Sequence, residues 1–259
     1  INNNAKPFDS KNVRDAFGYS IDRDAVVNAL FGDIDVTEAV NSFVPPVVSD
    51  FADGAAFAKF KPNSSKVKDL LNKDGYRKNS RGVYVKDGKE LSITIITTEG
   101  NERRKNTLQV LQKQLQDEGW KVKIEFPSAD DLFGQIGPEG DFQVALYAQV
   151  VTVLDASNCN IFCSENIPTE DNGLSGNNWT RTDIKDADKH LRIVDRELDE
   201  EKRIKASKDG EKALAADATS FPLDPLPNIL IWNKKVLGPV DENPIQGPFW
   251  GLQYWGVKK

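Results

Sequence analysis

The stretch of sequence that decides the fold lies near the start of the chain and reads Pro7-Phe8-Asp9-Ser10-Lys11-Asn12-Val13-Arg14-Asp15-Ala16-Phe17-Gly18-Tyr19-Ser20-Ile21-Asp22-Arg23. It predicts two consecutive helices. Asp9 or Ser10 is expected to cap the first, because apolar residues then recur at positions i, i+3 and i+4. Asp22 is expected to cap the second, which ends at Gly32. The side chains predicted to face inward are Val13, Ala16 and Phe17 in the first helix and Val26, Val27, Leu30 and Phe31 in the second.

Beyond this stretch, helical and strand patterns alternate along the chain. The turn Asp87-Gly88 predicts a β-hairpin, and the alternation of apolar and charged residues at 121–126 is typical of a half-buried strand. The order strand, helix, strand through residues 91–126 predicts parallel strands, which indicates the α/β class. The other predicted elements are the hairpin strands 83–85 and 91–97, the strands 141–147 and 228–232, and the helices 65–75, 101–119, 183–198 and 201–219, with Asp183 as a cap and Leu198 inside.

Composition restricts the class of function. The chain has 259 residues, of which 39% are hydrophobic and 29% charged, and its formal net charge is −6. Binding to nucleic acid or to an anionic membrane surface needs clustered cations, so an acidic chain argues against both. The sequence opens on polar residues and contains no Met. We therefore expect it to be a piece of a longer protein or a trimmed mature form.

No known catalytic or metal-binding motif stands out. His190 is the only histidine, is expected on a helix surface, and has no neighbouring serine motif for a catalytic triad. Cys159 and Cys163 are the only cysteines, so a four-ligand zinc site is not expected. They are either two buried thiols or a short disulfide loop. No catalytic residue, cofactor or metal is predicted.

Several segments together resemble the family 5 extracellular solute-binding proteins of ABC importers. The stretch 7–23 is similar to the family signature PFDDxxVRxAxxYAIDR. Residues 68–76 resemble the pattern that ends in Leu-Leu and then Gly-Tyr, and residues 172–188 resemble the stretch after the ligand-facing loop. The ending at 243–255 is similar to the C-terminal tail of that family.

This resemblance implies a fold and a function. The fold is the C-terminal lobe of a type II periplasmic-binding-protein-like structure, α/β, with a mixed β-sheet flanked by helices. Residues 1–238 would form the ligand-binding lobe, and residues 239–259 a tail that returns to an N-terminal lobe absent from this sequence. The implied protein is bacterial and exported. It is held by a lipid on the outer face of the cytoplasmic membrane, or is periplasmic, and delivers a peptide or other small solute to ABC permease subunits.

The resemblance also implies a ligand-facing loop, and the loop departs from the pattern of the peptide binders. In those proteins a Trp and then an Asp, which pairs with the ligand amine, follow the strand that corresponds to residues 142–147. Here Gln149 or a neighbour stands at the Trp position, and Val151 or Thr152 at the Asp position. Asp155 could replace the acid only in a remodelled loop, so a free peptide amine is not assured as the recognised group. The candidate ligand contacts are Tyr147, Gln149, Val150, Val151, Thr152, Asp155, Asn178 and Trp179.

Some of these assignments have a structural alternative. Trp179 either contacts the solute or packs inside its own lobe. Trp250 and Trp255 could be platforms for the ligand, but interlobe anchors are the preferred interpretation. Export into an oxidising compartment favours a disulfide between Cys159 and Cys163. Alternatives of another class are a stand-alone α/β hydrolase or transferase, and a cell-surface sensor or interaction domain.

Overall fold

A computed structural model describes residues 1–32, 37–149, 156–227, 229–240, 243 and 249–257. Its first elements are the helices α1, Lys11–Ser20, and α2, Arg23–Phe31. Asp22 caps α2 by accepting from the backbone N–H of Ala25, as predicted. Ser10 occupies the cap position of α1, but its hydroxyl donates to Asp74, 2.5 Å away, and the structure shows no side-chain cap bond there. The prediction of a capping side chain is therefore wrong for α1.

The two arginines in the opening stretch bind distant parts of the chain. Buried Arg14 donates to the carbonyl of Phe8 at 2.9 Å and to the carboxylate of Asp217 at 2.7 Å. Buried Arg23 donates to the carbonyls of Val40 and Phe57, at 2.5 and 3.0 Å. These bonds satisfy carbonyl groups of irregular backbone, which would be costly to bury alone. The opening helices thus fix the segment around residues 40–57 and the end of a later helix.

The hairpin forms, but with different partners from those predicted. Strand β1, Arg77–Lys78, pairs antiparallel with β2, Tyr84–Lys86, which pairs with β3, Lys89–Glu90. Asp87 and Gly88 have φ of 50° and 75°, the left-handed pair that a two-residue turn requires. The predicted second strand, 91–97, is a separate element in another sheet. Because this strand is not part of the exposed hairpin, its isoleucines can be buried in the core.

The central sheet is parallel and has the order β5-β4-β6. Strand β4, Ser92–Ile96, lies between β5, Lys121–Glu125, and β6, Val144–Ala145. Helix α4, Glu102–Glu118, connects β4 to β5, with Asn101 as its cap and Gly119 at φ 102° after its end. Buried Ile93 and Ile95 of the sheet join buried side chains of α1 and α4 in one core. The predicted α/β class is confirmed, and in the described residues parallel and antiparallel pairings lie in separate sheets.

The remaining helices cover the other elements. Helix α3, Ser64–Lys73, packs on α1. Short helices are α5, Ala129–Asp131, followed by a π-helical turn, Leu132–Ile136, then α6, Gly137–Glu139, and α7, Cys159–Phe162. Helices α8, Lys185–Arg196, and α9, Glu200–Asp217, pack on each other. Gly210 permits this contact, because a Cβ there would lie 2.7 Å from Leu191.

Two predictions around α8 are wrong. Ile184, not Asp183, occupies the cap position of α8. The helix ends at Arg196, and Leu198 is 97% exposed in the turn to α9 instead of packing inside. His190, predicted on the helix surface, is partly buried, with its side chain 20% exposed and its Nε2 3.5 Å from Asp186.

The last part of the chain has little regular structure. Residues 229–232 form no strand, which overturns the strand predicted at 228–232 for the residues that are described. Strand β7, Leu237–Gly238, pairs antiparallel with β8, Gly256–Val257, so the tail doubles back on itself. Apolar side chains here lie in solvent, with Ile231 at 87%, Phe249 at 65% and Trp250 at 49% exposed.

Candidate functional site

The carboxyl ends of β4 and β6 form one edge of the parallel sheet. Leu146 donates its backbone N–H to the carbonyl of Ile96 at 2.8 Å. The hydroxyl of Thr97, which is fully buried, donates to the carbonyl of Leu146, also at 2.8 Å. The two strand ends are therefore fixed relative to each other. In open α/β sheets, ligands bind in the crevice outside this edge.

Three aromatic rings meet at this edge, and we call them the aromatic cluster: Phe133, Tyr147 and Trp179. The ring centroids of Tyr147 and Trp179 are 5.3 Å apart. The ring of Phe133 lies 5.8 Å from Trp179 and 6.1 Å from Tyr147, edge-on to the latter. Phe133 is 42% exposed, whereas Trp179 is 8% exposed. The cluster thus presents one open ring supported by two inner rings.

The loop that carries Trp179 is held by polar contacts on both sides. Asn178 is fully buried, and its Nδ2 lies 3.0–3.1 Å from the carbonyl oxygens of Phe162, Cys163 and Thr182. Its Oδ1 accepts from Thr180 at 2.6 Å. Both the nitrogen and the oxygen of the Asn178 side chain are hydrogen-bonded within the protein. Its predicted contact with the solute is therefore not supported, and it is a positioning residue for Trp179.

Arg181 and Gly137 fix the other side of the indole. The guanidinium of Arg181 donates to the carbonyls of Pro138 and Pro168, at 2.6 and 2.8 Å. The indole of Trp179 packs against the backbone of Gly137, where an added Cβ would lie only 2.6 Å from the ring. Any other residue at 137 would push the ring away. This packing agrees with the alternative prediction that Trp179 packs inside its own lobe, and the side chain is 8% exposed.

Tyr147 connects the cluster to the predicted loop. Burial raises the pKa of its phenol, which hydrogen-bonds to the side chain of Gln149. Gln149 is exposed at the end of this segment. The other predicted loop contacts, Val150, Val151, Thr152 and Asp155, lie outside the described residues. Of the predicted site residues, the structure therefore brings together Tyr147, Gln149 and Trp179.

A cation lies near the same edge. Arg104, in the first turn of α4, donates to the hydroxyl of Thr98 at 2.9 Å. Burial, followed by the neighbouring charge of Arg103, lowers the pKa of Arg104. Its buried Nε has no hydrogen-bond partner in the described part of the chain, and no described carboxylate lies within 4 Å of its guanidinium. Within the part of the chain that is described, this edge therefore carries a positive charge without a carboxylate partner.

A disulfide between Cys159 and Cys163 closes the turn beside the Trp179 loop. Asn166 donates from its side chain to the carbonyl of Cys159 at 2.9 Å, and its own carbonyl accepts from the backbone of Asn178 at 2.9 Å. The carboxylate of Glu165 lies near both sulfurs. It pairs with Arg192, and that hydrogen bond lowers the pKa of Glu165 to about 2. With both sulfurs bonded to each other, this group offers a metal no thiolate.

Pattern reading from the sequence did not find Phe133, Gly137 or Arg104. Phe133 lies in a π-helical turn, so its spacing fits neither the helical nor the strand period. Arg104 is one of several charged residues in a helical pattern, where a solvated position is the ordinary expectation. The adjacent apolar residues Leu132 and Phe133 were the one available signal.

Other surface features lie away from this edge. Two open cavities of about 310 and 250 Å³ are lined mainly by lysine, aspartate and alanine side chains, the first between α1 and α3 and the second beside α9. Neither contains a predicted site residue. Among the described helices, none combines the length and the hydrophobicity needed to span a bilayer.

Comparison with known sequences gives a family match and several relatives. The family described as bacterial extracellular solute-binding proteins, family 5 Middle, matches residues 1–165. The oligopeptide-binding protein AppA of Bacillus subtilis is 32% identical over 133 residues, which are 51% of this chain and 24% of that protein. The oligopeptide-binding protein OppA of Lactococcus lactis subsp. lactis is 33% identical over 119 residues, 46% of this chain and 20% of that protein. The matched segment is a minor part of each relative.

Comparison with solved structures extends the likeness to the whole chain. AppA from B. subtilis in complex with a nonapeptide superposes with a TM-score of 0.79 at 22% identity, covering 100% of this chain and 49% of that one. NikZ from Campylobacter jejuni in complex with Ni(L-His) gives 0.76 at 22% identity, covering 98% and 50%. A mannohexaose-bound protein from Thermotoga maritima gives 0.76 at 18% identity, covering 96% and 47%. This chain therefore has the fold of about half of each neighbour.

Proposed function

The chain belongs to the bacterial extracellular solute-binding proteins of family 5, and we propose that it captures a peptide or peptide-like solute and delivers it to the permease subunits of an ABC importer. The fold predicted from the sequence is confirmed by its superposition on members such as AppA. The relatives matched in sequence are oligopeptide-binding proteins, which favours a peptide over the nickel complex or sugar seen in the more distant neighbours.

The aromatic cluster carries this proposal. Rings held rigidly at the carboxyl edge of a sheet offer contact area to a solute at small cost in conformational entropy. Trp179 is fixed before any ligand arrives, because Asn178 and Arg181 clamp its loop. Gln149 adds an amide, and Arg104 adds a cation. Such an arrangement, apolar with a few polar groups, suits reversible binding of a peptide.

The site proposed here is one half of a cleft. The chain spans about half the length of the structures it resembles, so the opposite wall belongs to residues outside it. We assign residues 1–238 to the ligand-binding lobe and residues 239–259 to a tail that returns to the N-terminal lobe. Exposure of Phe249 and Trp250 supports this assignment, since large apolar side chains gain most by being covered.

The mechanism that follows is closure of two lobes around the solute. Binding shifts the equilibrium toward the closed state by the difference in affinity between closed and open forms. The chain contributes a rigid wall, and closure removes the solute from water. We further propose that the protein is exported and anchored by a lipid outside the cytoplasmic membrane. The proposed role involves binding without chemical change of the solute.

The test is to identify what the complete protein carries. The full-length protein is purified from its own or a related bacterium without denaturation, and co-purifying molecules are released and identified by mass spectrometry. We expect peptides in near-stoichiometric amount, and the same peptides recovered intact after prolonged incubation with the protein. Recovery of cleaved peptides would favour the hydrolase alternative, and recovery of a metal complex or sugar alone would contradict the proposed solute class.

A further inference from the structure

We propose that Trp179 donates its indole N–H to the bound solute, and that the aromatic cluster selects solutes in which an apolar or aromatic side chain adjoins a hydrogen-bond acceptor such as a peptide carbonyl. The proposal rests on the proposed function and specifies the chemistry recognised at the same site.

The first observation is an indole without a partner. Trp179 is 8% exposed, and its Nε1 is buried without an acceptor among the described residues. A buried donor that lacks a partner loses its bond to water without compensation. Trp120 shows the usual solution, since its Nε1 donates to the hydroxyl of Ser20 at 3.0 Å. Nε1 of Trp255, in the tail, also lacks a partner among the described residues, but Trp179 is the one that lies at the proposed site, where a bound acceptor would satisfy it.

The second observation is that the indole cannot turn to find a partner. Gly137 lies directly under the ring, and the bonds of Asn178 and Arg181 hold the backbone on either side. Contact with the ring of Tyr147 closes a third side. The N–H is fixed in direction, so only a group brought to it can accept its hydrogen bond. Donors fixed in this way specify the orientation of a ligand.

The third observation defines the neighbouring group as apolar. Phe133 leaves 42% of its surface in solvent while it packs against Tyr147 and Trp179. An aromatic side chain placed on this ring would gain contact beyond the burial of its area. A polar side chain would gain little there and lose hydration. Phe133 and the indole N–H together therefore fit a peptide unit: a side chain on the ring and a carbonyl on the nitrogen.

The decisive variant is Trp179→Phe in the complete protein, with Trp120→Phe as its matched control. Both variants lose the same atoms from a buried indole, and of the two only Trp120 has a described hydrogen-bond partner. Trp179→Phe should weaken binding of a pentapeptide retained by the wild type roughly threefold to tenfold, the effect of one hydrogen bond. Its loss of unfolding stability should be smaller than that of Trp120→Phe, which should leave affinity unchanged. The proposal would be overturned if Trp179→Phe bound the pentapeptide as tightly as the wild type while losing less stability than Trp120→Phe.

A second arm tests the apolar preference with an equimolar pool of pentapeptides. Wild type should retain peptides enriched in aromatic or large aliphatic residues at one position, and Phe133→Ser should reduce that enrichment roughly fivefold or more. Leu198→Ser, at an exposed apolar position in the α8–α9 turn, is the control and should leave it intact. If Phe133→Ser retains the enrichment, the selection is made elsewhere. If the wild type retains no peptide at all, the proposed function itself fails.

Discussion

At the scale of single residues, the opening stretch is conspicuous because its polar members make long-range bonds. Arg14 and Arg23 reach Asp217, Val40 and Phe57, and a substitution at either would leave buried carbonyl groups without partners. The resemblance found in the sequence depends on these residues. Local periodicity predicted only the helices that carry them, since it contains no information about partners many residues away.

Glu211 is another polar residue whose partners are distant in the sequence, and it gives a prediction about the pH dependence of stability. Its fully buried carboxylate accepts from the hydroxyl of Ser42 and from the backbone of Phe43 and Asp53, at 2.7 Å each. Burial raises its pKa in spite of these bonds. A raised folded-state pKa means that this group's contribution to stability is complete below the unfolded value of 4.5 and declines as pH rises through the folded value.

We expect Glu211→Gln to lower the free energy of unfolding by about 2 kcal/mol, because its amide cannot accept from one of the backbone donors. The difference from wild type should be largest at acidic pH and should shrink above pH 4.5. Urea unfolding of both proteins across this range measures it. A difference that grows as pH rises would show that the fold favours the ionised carboxylate instead.

A second prediction at the residue scale concerns the charge of the ligand. Arg104 has no carboxylate partner among the described residues, so amidation of a peptide's carboxylate should weaken binding by roughly tenfold or more, the effect of a charge-assisted hydrogen bond. Acetylation of the amine should matter less, because the acid expected after the strand is absent from residues 149–152. In Arg104→Gln, the effect of amidation should largely disappear.

Calorimetry on the complete protein with matched peptides measures both effects. If acetylation abolishes binding and Asp155→Asn does the same, then Asp155 is the partner of the amine. The alignment of the loop from Gln149 to Asp155 would then need to be shifted.

At the scale of elements, helices and strands with strong periodicity were predicted correctly, and short elements were not. The helix at 101–119 and the strand at 121–126 were predicted to within a residue or two, because α4 has three leucines facing the core and β5 alternates. The strand predicted at 228–232 is not formed by residues 229–232, which are the part of it that the structure describes. A short apolar run is also typical of a surface segment that another part of a protein covers. Here Ile231 is 87% exposed. The prediction that Leu198 faces inward is wrong because the helix ends two residues earlier, at Arg196.

The disulfide element gives a further prediction. Cys159 and Cys163 are at most 4% exposed, and the turn they close supports the loop of Trp179 through Asn166 and Asn178. Reduction should lower the free energy of unfolding by about 2 kcal/mol, since the closed loop is short.

The bond itself is tested by alkylation in denaturant, followed by intact mass. No thiol should react before reduction, and both should react after it. Two thiols that react without a reductant would mean that the bond is absent from the exported protein.

At the scale of the whole molecule, the sequence predicted the fold and the family but located the site only in part. The resemblance pointed to the loop after β6, and Tyr147, Gln149 and Trp179 do lie together at that edge. Phe133 and Gly137 come from one helical segment and meet Trp179, more than 40 residues away, only through tertiary packing. Half of the proposed cleft lies outside the chain, so no pattern within these residues could describe it.

The most direct test of this account compares the complete protein with the 259-residue chain alone, using one peptide identified from the complete protein. Isothermal titration calorimetry under the same conditions gives both dissociation constants, and circular dichroism checks that the isolated chain is folded. A one-sided cleft loses much of the buried contact area, so the isolated chain should bind at least roughly a hundredfold more weakly. Submicromolar binding by the folded chain alone would contradict the account, because the site would then be complete within these residues.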